Sequence, residues 1–379
     1  MANQKRIYFE HLDVVRFLAA FMIVILHAYE AWVGWYGEVG FLSNGSYREL
    51  SIGGKFIDQF IRNLGIGVDV FFLLSGFLIT YILLEEKKRF NKINIGFFMI
   101  RRSLRIWPLY FFLIAISPFL VDWLNNENHP NYFYNAFFIG NFDIINSKSW
   151  VYPFSHFWSI CIEEHFYLIW PFVIAFVSHK RLLPVFLIFI LSSISFRLYT
   201  GYTMDYPWYT LFAHTLSRID VLVIGAIGGY YYSQKPFTIN IRKSVRCFLF
   251  IVLISSLLIE PVVAWNSLVL VGFKKYFYLS IIAILLLDFN FNPLYNHILN
   301  KNSFIHYLGK VSYGIYMYSN ILLLVIIKKI MVADSLKNIY FFFFITILLS
   351  ILVPILSYEL FEKHVLKLNT RFRKIKTRD

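Results

Sequence analysis

Charged residues are scarce in this sequence of 379 residues, because Asp, Glu, Lys and Arg together make up only 15% of it. Soluble proteins contain about 25% of these residues, whereas 58% of this chain is hydrophobic, which excludes a soluble globular fold and intrinsic disorder. Two cysteines are too few for a disulfide-rich secreted domain, and 18 glycines without a fixed period exclude a collagen-like chain. The composition is that of an integral membrane protein.

Ten apolar segments follow one another along the sequence, most of them near the roughly 20 residues that cross a bilayer as a helix. They cover residues 12–33, 64–84, 106–122, 157–178, 182–199, 208–232, 245–264, 276–290, 304–327 and 338–358. The 276–290 segment is short, and polar interruptions leave the count open by one. We predict an all-α, polytopic membrane bundle of about ten helices, and we expect one domain over residues 1–379 without an appended soluble domain.

The formal net charge is +14, but the basic residues lie between the apolar segments and predict topology rather than nucleic-acid binding. With the N-terminus in the cytoplasm, most of the lysines and arginines fall on the cytoplasmic side, above all in 87–105, 235–246 and after Glu362. The positive-inside rule therefore predicts that both termini are cytoplasmic. No cleavable signal peptide is expected, because Arg16 and His27 interrupt the first segment. We expect a multi-pass protein of the cell membrane.

Ionisable side chains inside apolar segments are costly in a bilayer and usually mark function. Arg16 and His27 of the first segment are eleven residues apart, which corresponds to about three helical turns and a rise of about 16 Å. The two side chains therefore share one helix face at different depths. Asp13 lies on the same face and can pair with Arg16. The alternative interpretation is a structural ion pair and a buried core histidine.

The fourth segment opens with two adjacent carboxylates, Glu163 and Glu164. In the antiparallel topology Glu163 has about the depth of His27, so the two side chains can meet. A carboxylate that binds one imidazole nitrogen leaves the other nitrogen free as a base. Glu164 is expected to face water at the membrane interface.

Two further patterns precede that segment. Arg101 and Arg105 are i, i+4 neighbours at the cytoplasmic start of the third segment, and such a pair suits phosphate oxygens, although juxtamembrane arginines usually mark topology. In the second segment, Gly67 and Gly76 allow close helix approach, and Asp69 is another acid near the depth of His27.

Together these motifs resemble the acyltransferase 3 family of membrane-bound O-acyltransferases. The resemblance is carried by four ordered motifs: Arg16-x10-His27 after Leu12-Asp13, and the segments 67–79, 101–110 and 157–171. It extends through residues 217–220, 312–316 and 358–363. The sequence departs from the family pattern at Ser319-Asn320, where many members have a histidine, and at His364, where many have a proline.

The resemblance implies transfer of an acyl group, most often acetyl from cytoplasmic acetyl-CoA, to a hydroxyl of a glycan or lipid-linked sugar, commonly across the membrane. The family's essential residues correspond to Arg16, His27 and Glu163. We predict that His27 is the base and that Glu163 supports it, with the coenzyme A phosphates held by Arg101, Arg102 and Arg105. Further candidate site residues are Asp13, Asp69, Ser75, Trp158, Ser159, Tyr167, Arg218, Asp220 and Tyr313.

No permanently bound cofactor and no metal site are expected, because acetyl-CoA is a co-substrate and no ligand cluster is evident. The competing class is a transporter or flippase that uses the intramembrane charges as a path. Matching broken helices in two halves would favour it, and no such repeat is visible. Activity toward acetyl-CoA distinguishes the two classes.

Overall fold

The computed structural model describes residue 9 and residues 11–36, 51–236, 239–259, 268–292, 303–331 and 338–372. Within these ranges the regular structure is helical and contains no strand. Fifteen α-helices are numbered here in chain order: α1 (His11–Tyr36), α2 (Ile52–Asn63), α3 (Ile66–Phe90), α4 (Ile95–Trp123), α5 (Tyr132–Ala136), α6 (Gly140–Ser147), α7 (Trp158–Phe176), α8 (Leu182–Thr203), α9 (Trp208–Ala213), α10 (Thr215–Gln234), α11 (Lys243–Ile259), α12 (Leu268–Phe291), α13 (Phe304–Val325), α14 (Ile339–Ser357) and α15 (Lys363–Leu368).

The ten apolar segments coincide with the ten long helices α1, α3, α4, α7, α8 and α10 to α14. Among the described residues, eight helical stretches are long and apolar enough to cross a membrane, and they contain all of these helices except α11 and α12. The prediction of an all-α, multi-pass membrane protein is confirmed. The orientation of the termini stays a prediction.

The short 276–290 segment is only part of a longer helix. α12 begins at Leu268, so Lys275 lies inside the helix and is buried. Residues 123–156, between the third and fourth apolar segments, contain α5 and α6. Between the first and second segments, residues 52–63 form α2, whereas residues 37–50 lie outside the described residues.

The turn between α3 and α4 fixes where the arginine motif begins. α3 ends at Phe90, and the next residue, Asn91, caps it with a left-handed backbone of φ 55°. The side chain of Asn94 then caps α4 by accepting a hydrogen bond from the amide of Phe97. The amide of Asn94 donates to the buried carboxylate of Glu86 at 2.8 Å. These contacts set the start of α4 and therefore the direction of the arginines that follow.

Small residues bring the central helices into backbone contact. A Cβ atom at Gly76 of α3 would collide with the carbonyl oxygen of Leu222 in α10, and one at Gly225 of α10 would collide with that of Leu73 in α3. Gly67 packs in the same way on Ala19 of α1, where a Cβ atom would lie 2.6 Å from the carbonyl oxygen. The predicted close approach at Gly67 and Gly76 is confirmed.

Candidate active site

A narrow cavity of about 100 Å³ lies among α1, α3, α4, α7 and α13. Eight of the side chains predicted to form the site line it: Arg16, Ser75, Arg102, Arg105, Ser159, Glu163, Tyr167 and Tyr313. They come from five separate helices, so the fold brings together motifs that are far apart in the sequence. The remaining walls are mainly apolar side chains of α3, including Phe71 and Phe72.

Three arginines make the cavity cationic. Arg16 of α1 binds Asp13 at 2.9 Å, as the sequence predicted. Arg102 of α4 lies over the ring of Tyr167, with its guanidinium carbon 5.7 Å from the ring centroid. Arg105, one turn further along α4, is exposed and also lines the cavity. Guanidinium groups in this arrangement suit the oxygens of a phosphate ester.

Arg101 differs from the other two arginines of its motif, because it does not line the cavity. Its guanidinium donates to the main-chain oxygen of Phe372 at 2.8 Å and to the carboxylate of Glu86 at 3.4 Å. The structure therefore does not place Arg101 beside Arg105 in the cavity as a pair that could bind one phosphate. An i, i+4 spacing puts two residues on similar faces, but here neighbouring segments bind the first of them.

The acidic group of the cavity is tied to two helices through a short chain of hydroxyls. Tyr167 donates to Glu163 at 2.7 Å, one turn away on α7. Because that proton is used, the oxygen of Tyr167 accepts from Ser75 of α3 at 2.5 Å. Glu164 points elsewhere and accepts from the indole of Trp107 at 3.0 Å.

His27 lies half-buried in α1, eleven residues beyond Arg16. Its Nδ1 is 3.5 Å from the hydroxyl of Ser319 in α13, and its ring meets that of His156, with centroids 5.9 Å apart. Among the described residues Glu163 is not a hydrogen-bond partner of His27. The predicted pairing rested on equal depth, whereas the structure gives the two side chains different partners.

Two hydroxyl groups of the cavity lining connect it to the histidine region. Ser159 of α7 and Tyr316 of α13 share a hydrogen bond of 2.7 Å. Tyr316 also donates to the main-chain oxygen of His156 at 2.7 Å, and the rings of Tyr316 and His156 are in contact. His27 is not among the residues that line the cavity, and it contacts the lining through His156.

Three residues near His27 were missed from the sequence: His156, Tyr316 and Ser319. His156 forms a single 3-10 turn with its neighbours, Ser155–Phe157, directly before α7. The feature of the sequence that could have identified His156 was its position one residue before the motif that begins at Phe157. Tyr316 lay within the 312–316 motif, and Ser319 was noted only as a departure from the family pattern.

Asp69, Arg218 and Trp158 form a cluster beside the cavity. Arg218 of α10 binds Asp69 of α3 at 2.7 Å, and its guanidinium lies over the ring of Trp158 at 5.6 Å. Trp158 in turn packs edge to face against Phe72, which lines the cavity. The cluster thus braces one wall. Tyr313 acts similarly by donating to the main-chain oxygen of Ile106 at 2.9 Å.

Asp220 belongs to a separate buried network away from the cavity. Its carboxylate binds Lys275 of α12 at 2.7 Å and Arg197 of α8 at 2.9 Å, and it also accepts from Tyr276. Buried charges persist when each has a partner with good geometry. The network joins α8, α10 and α12, and its partners could not be read from the sequence.

The chain matches a family model described as an acyltransferase domain, that of acyltransferase 3, over residues 9–359. It is 26% identical to the O-acetyltransferase OatA of Staphylococcus aureus over 333 residues, which cover 82% of this chain and 54% of that protein. It is 34% identical to the peptidoglycan O-acetyltransferase OatA of Listeria monocytogenes over 125 residues, or 30% of this chain and 20% of that protein. The chain thus spans about half the length of the Staphylococcus relative. No solved structure matches it.

Proposed function

The chain belongs to the acyltransferase 3 family, and we propose that it is an O-acetyltransferase that moves an acetyl group from cytoplasmic acetyl-CoA to a hydroxyl of a cell-envelope glycan. The observation that carries this proposal is the cavity itself. Arginines and the paired hydroxyls of Ser159 and Tyr316 line it together, and Tyr316 packs against His156, whose ring contacts that of His27. The names of the relatives, one of them a peptidoglycan O-acetyltransferase, support a glycan acceptor.

Arg102 and Arg105 are proposed to bind the phosphates of coenzyme A. Both line the cavity near its α4 wall, and charge-assisted hydrogen bonds to phosphate are stronger than neutral ones. Arg16 lines the same cavity from α1 and is proposed to contact the pantetheine arm. Its partner Asp13 keeps the guanidinium in place on α1. Arg101 is proposed to position this region through its bonds to Glu86 and Phe372.

His27 is proposed to act as the general base. An alcohol has a pKa far above neutral, so it needs a base to accept its proton as it attacks. The acceptor oxygen forms a bond to the acyl carbon while the bond from that carbon to sulfur breaks. The hydroxyl proton passes to His27 and then to the thiolate that leaves, so the atoms and charges balance.

Glu163 is assigned a different role from the one the sequence suggested. Because it binds Tyr167 and faces the arginine-lined cavity, it compensates positive charge there and anchors the hydroxyl chain to α3. Removing it is expected to alter donor binding as well as rate. This assignment agrees with the separate partners of His27 and Glu163 in the structure.

The experiment that tests the function is incubation of the purified protein in detergent or liposomes with acetyl-CoA and soluble peptidoglycan fragments. Mass spectrometry should show fragments that have gained one acetyl group, in proportion to free coenzyme A released. Protein carrying His27→Ala is the matched control. If acetyl-CoA is not consumed, or if fragments cross the membrane unmodified, the transferase assignment is wrong.

A further inference from the structure

The side chain of His156 is held in one tautomer by the main chain of α13. It is only 1% exposed, and its Nε2 lies 3.1 Å from the carbonyl oxygen of Met317. A carbonyl oxygen can only accept, so Nε2 carries the proton. In the neutral ring the lone pair is therefore on Nδ1.

That Nδ1 atom is buried and has no hydrogen-bond partner among the described residues. Buried polar atoms are nearly always hydrogen-bonded, and an exception asks for an explanation. The ring cannot easily turn away, because Tyr316 binds the main-chain oxygen of His156 and packs against its ring. The structure thus maintains an acceptor that lacks a donor.

The ring of His156 is in contact with the ring of His27. The two rings meet edge to face, with an angle of 66° and 5.9 Å between centroids. The hydroxyl of Ser319 donates to the carbonyl of Tyr316 at 2.8 Å, so toward His27 it acts as an acceptor. Nδ1 of neutral His27 then carries the proton, and its Nε2 holds the lone pair that can remove a proton from a substrate.

We propose that His156 is the positioning residue for the base His27, in the place that Glu163 was expected to occupy. When His27 takes the hydroxyl proton it becomes an imidazolium with N–H groups on both nitrogens. Its Nε2–H holds the proton taken from the substrate, and its Nδ1–H then donates to the lone pair of His156 Nδ1 in place of the long 3.5 Å contact with Ser319. The inference rests on the proposed function, in which His27 receives that proton.

The contact strengthens when His27 is charged, because a hydrogen bond donated by an imidazolium is charge-assisted and stronger than one between neutral rings. An interaction that is stronger in the transition state than in the ground state raises the rate of the chemical step. His156 would accept no proton itself, since its role is to share the one that His27 holds. The proton leaves His27 again for the thiolate sulfur.

Other titratable groups near this part of α1 have partners of their own. Asp58 of α2 accepts from Tyr29 at 2.7 Å and binds Arg62 at 3.0 Å. Glu30, one turn beyond His27, is exposed and interacts electrostatically with Arg62 and Asp58. Tyr316 of α13 donates to the main chain of His156. Among the described side chains, His156 is left as the group placed to respond to protonation of His27.

Two substitutions of His156 separate this role from simple packing. His156→Gln can keep an amide near Met317 but removes the acceptor at the position of Nδ1, whereas His156→Asn keeps an acceptor near that position. The rate of acetyl transfer to peptidoglycan fragments and its pH dependence are measured for both. His165→Gln, on α7 and outside the cavity, is the matched control for the substitution itself.

We expect His156→Gln to lower kcat by about tenfold or more with little change in the KM for acetyl-CoA. The acidic limb of its pH–rate profile should move to lower pH by about one unit, because the imidazolium has lost an acceptor. His156→Asn should recover most of the rate and restore the limb. Unfolding temperatures of both variants in detergent report on folding.

Wild-type kcat and pH profile in folded His156→Gln would overturn the role of His156 and leave the transferase assignment intact. The role is also overturned if His156→Asn is as slow as His156→Gln and the acidic limb of both pH–rate profiles stays at the wild-type pH. That pattern indicates that His156 contributes packing alone. A raised KM for acetyl-CoA without loss of kcat would move His156 to the donor site. Wild-type protein that transfers no acetyl group would overturn the proposed function together with this inference.

Discussion

Tyr167 donates a 2.7 Å hydrogen bond to Glu163 from one turn further along α7, and its oxygen accepts from Ser75 of α3. The acid of the cavity is thereby fixed to two helices at once. Its partner is a phenol and not the histidine on α1. Glu163 and Tyr167 therefore form one unit, and His27 belongs to another.

A double-mutant cycle on this pair should show coupling. Tyr167→Phe removes the donor and leaves the half-buried carboxylate of Glu163 without that bond, which typically costs about 1 to 3 kcal/mol in the free energy of unfolding. After Glu163→Gln the same change should cost less, with a coupling of about 0.5 to 3 kcal/mol. Thermal unfolding in detergent gives the four stabilities. Strict additivity would mean that the hydrogen bond does not contribute.

Arg102→Ala and Arg105→Ala should weaken the binding of acetyl-CoA. Each lost contact to a phosphate is worth about 1.5 to 3 kcal/mol, which corresponds to a loss of affinity of about tenfold to a hundredfold. Arg101→Ala is the matched control from the same motif, and it should lower stability instead, because it breaks the contacts with Glu86 and Phe372. Calorimetric titration with coenzyme A measures the affinities. Equal losses of affinity in all three variants would indicate that Arg101 also binds the donor.

His27→Ala should abolish transfer while donor binding stays nearly intact, because a general base acts in the transition state. Removing such a group typically lowers the rate by about 100-fold to 10,000-fold. The release of coenzyme A and the binding of acetyl-CoA are measured on the same preparation. An active His27→Ala enzyme would show that another group removes the proton.

Asp220→Asn should destabilise the fold, because it leaves Lys275 and Arg197 buried without their carboxylate. Breaking a buried pair from one side typically costs about 3 to 5 kcal/mol. Lys363→Ala breaks an exposed pair with Glu359 and should change the stability very little, because water screens such a pair. Unfolding temperatures of the purified variants provide the comparison. Similar small shifts in both would mean that water reaches Asp220.

The apolar segments sufficed to place every long helix, because a bilayer demands helical stretches of one length and composition. The ends were less well defined, as α12 shows. Lys275 lies inside that helix because Asp220 on α10 supplies a partner that cancels its charge, and a partner from another helix cannot be read from local hydrophobicity. The same holds for the ion pair of Arg197 on α8 with Asp220.

For a similar reason, only some of the contacts in the site were predicted correctly from the sequence. Periodicity on one helix predicted the pair of Asp13 and Arg16, because both residues belong to the same turns. Contact between His27 and Glu163 was predicted from depth alone. Depth along the membrane does not fix the direction in which a side chain points around its helix, and that direction here favours Tyr167 for Glu163 and His156 for His27.

The backbone contact at Gly76 and Gly225 has a mechanical consequence for substrate entry. Two helices without side chains between them at these positions behave as a single stiff support, so α3 offers the cavity an immobile wall. The facing wall, α4, contains Pro108 and Pro118, each of which removes a main-chain hydrogen bond and makes a helix easier to bend. If the cavity admits a thioester, as we propose, it has to widen, and we expect the compliance for this in α4. That helix also carries Arg102 and Arg105, so on the proposed function donor capture and donor admission would belong to one element.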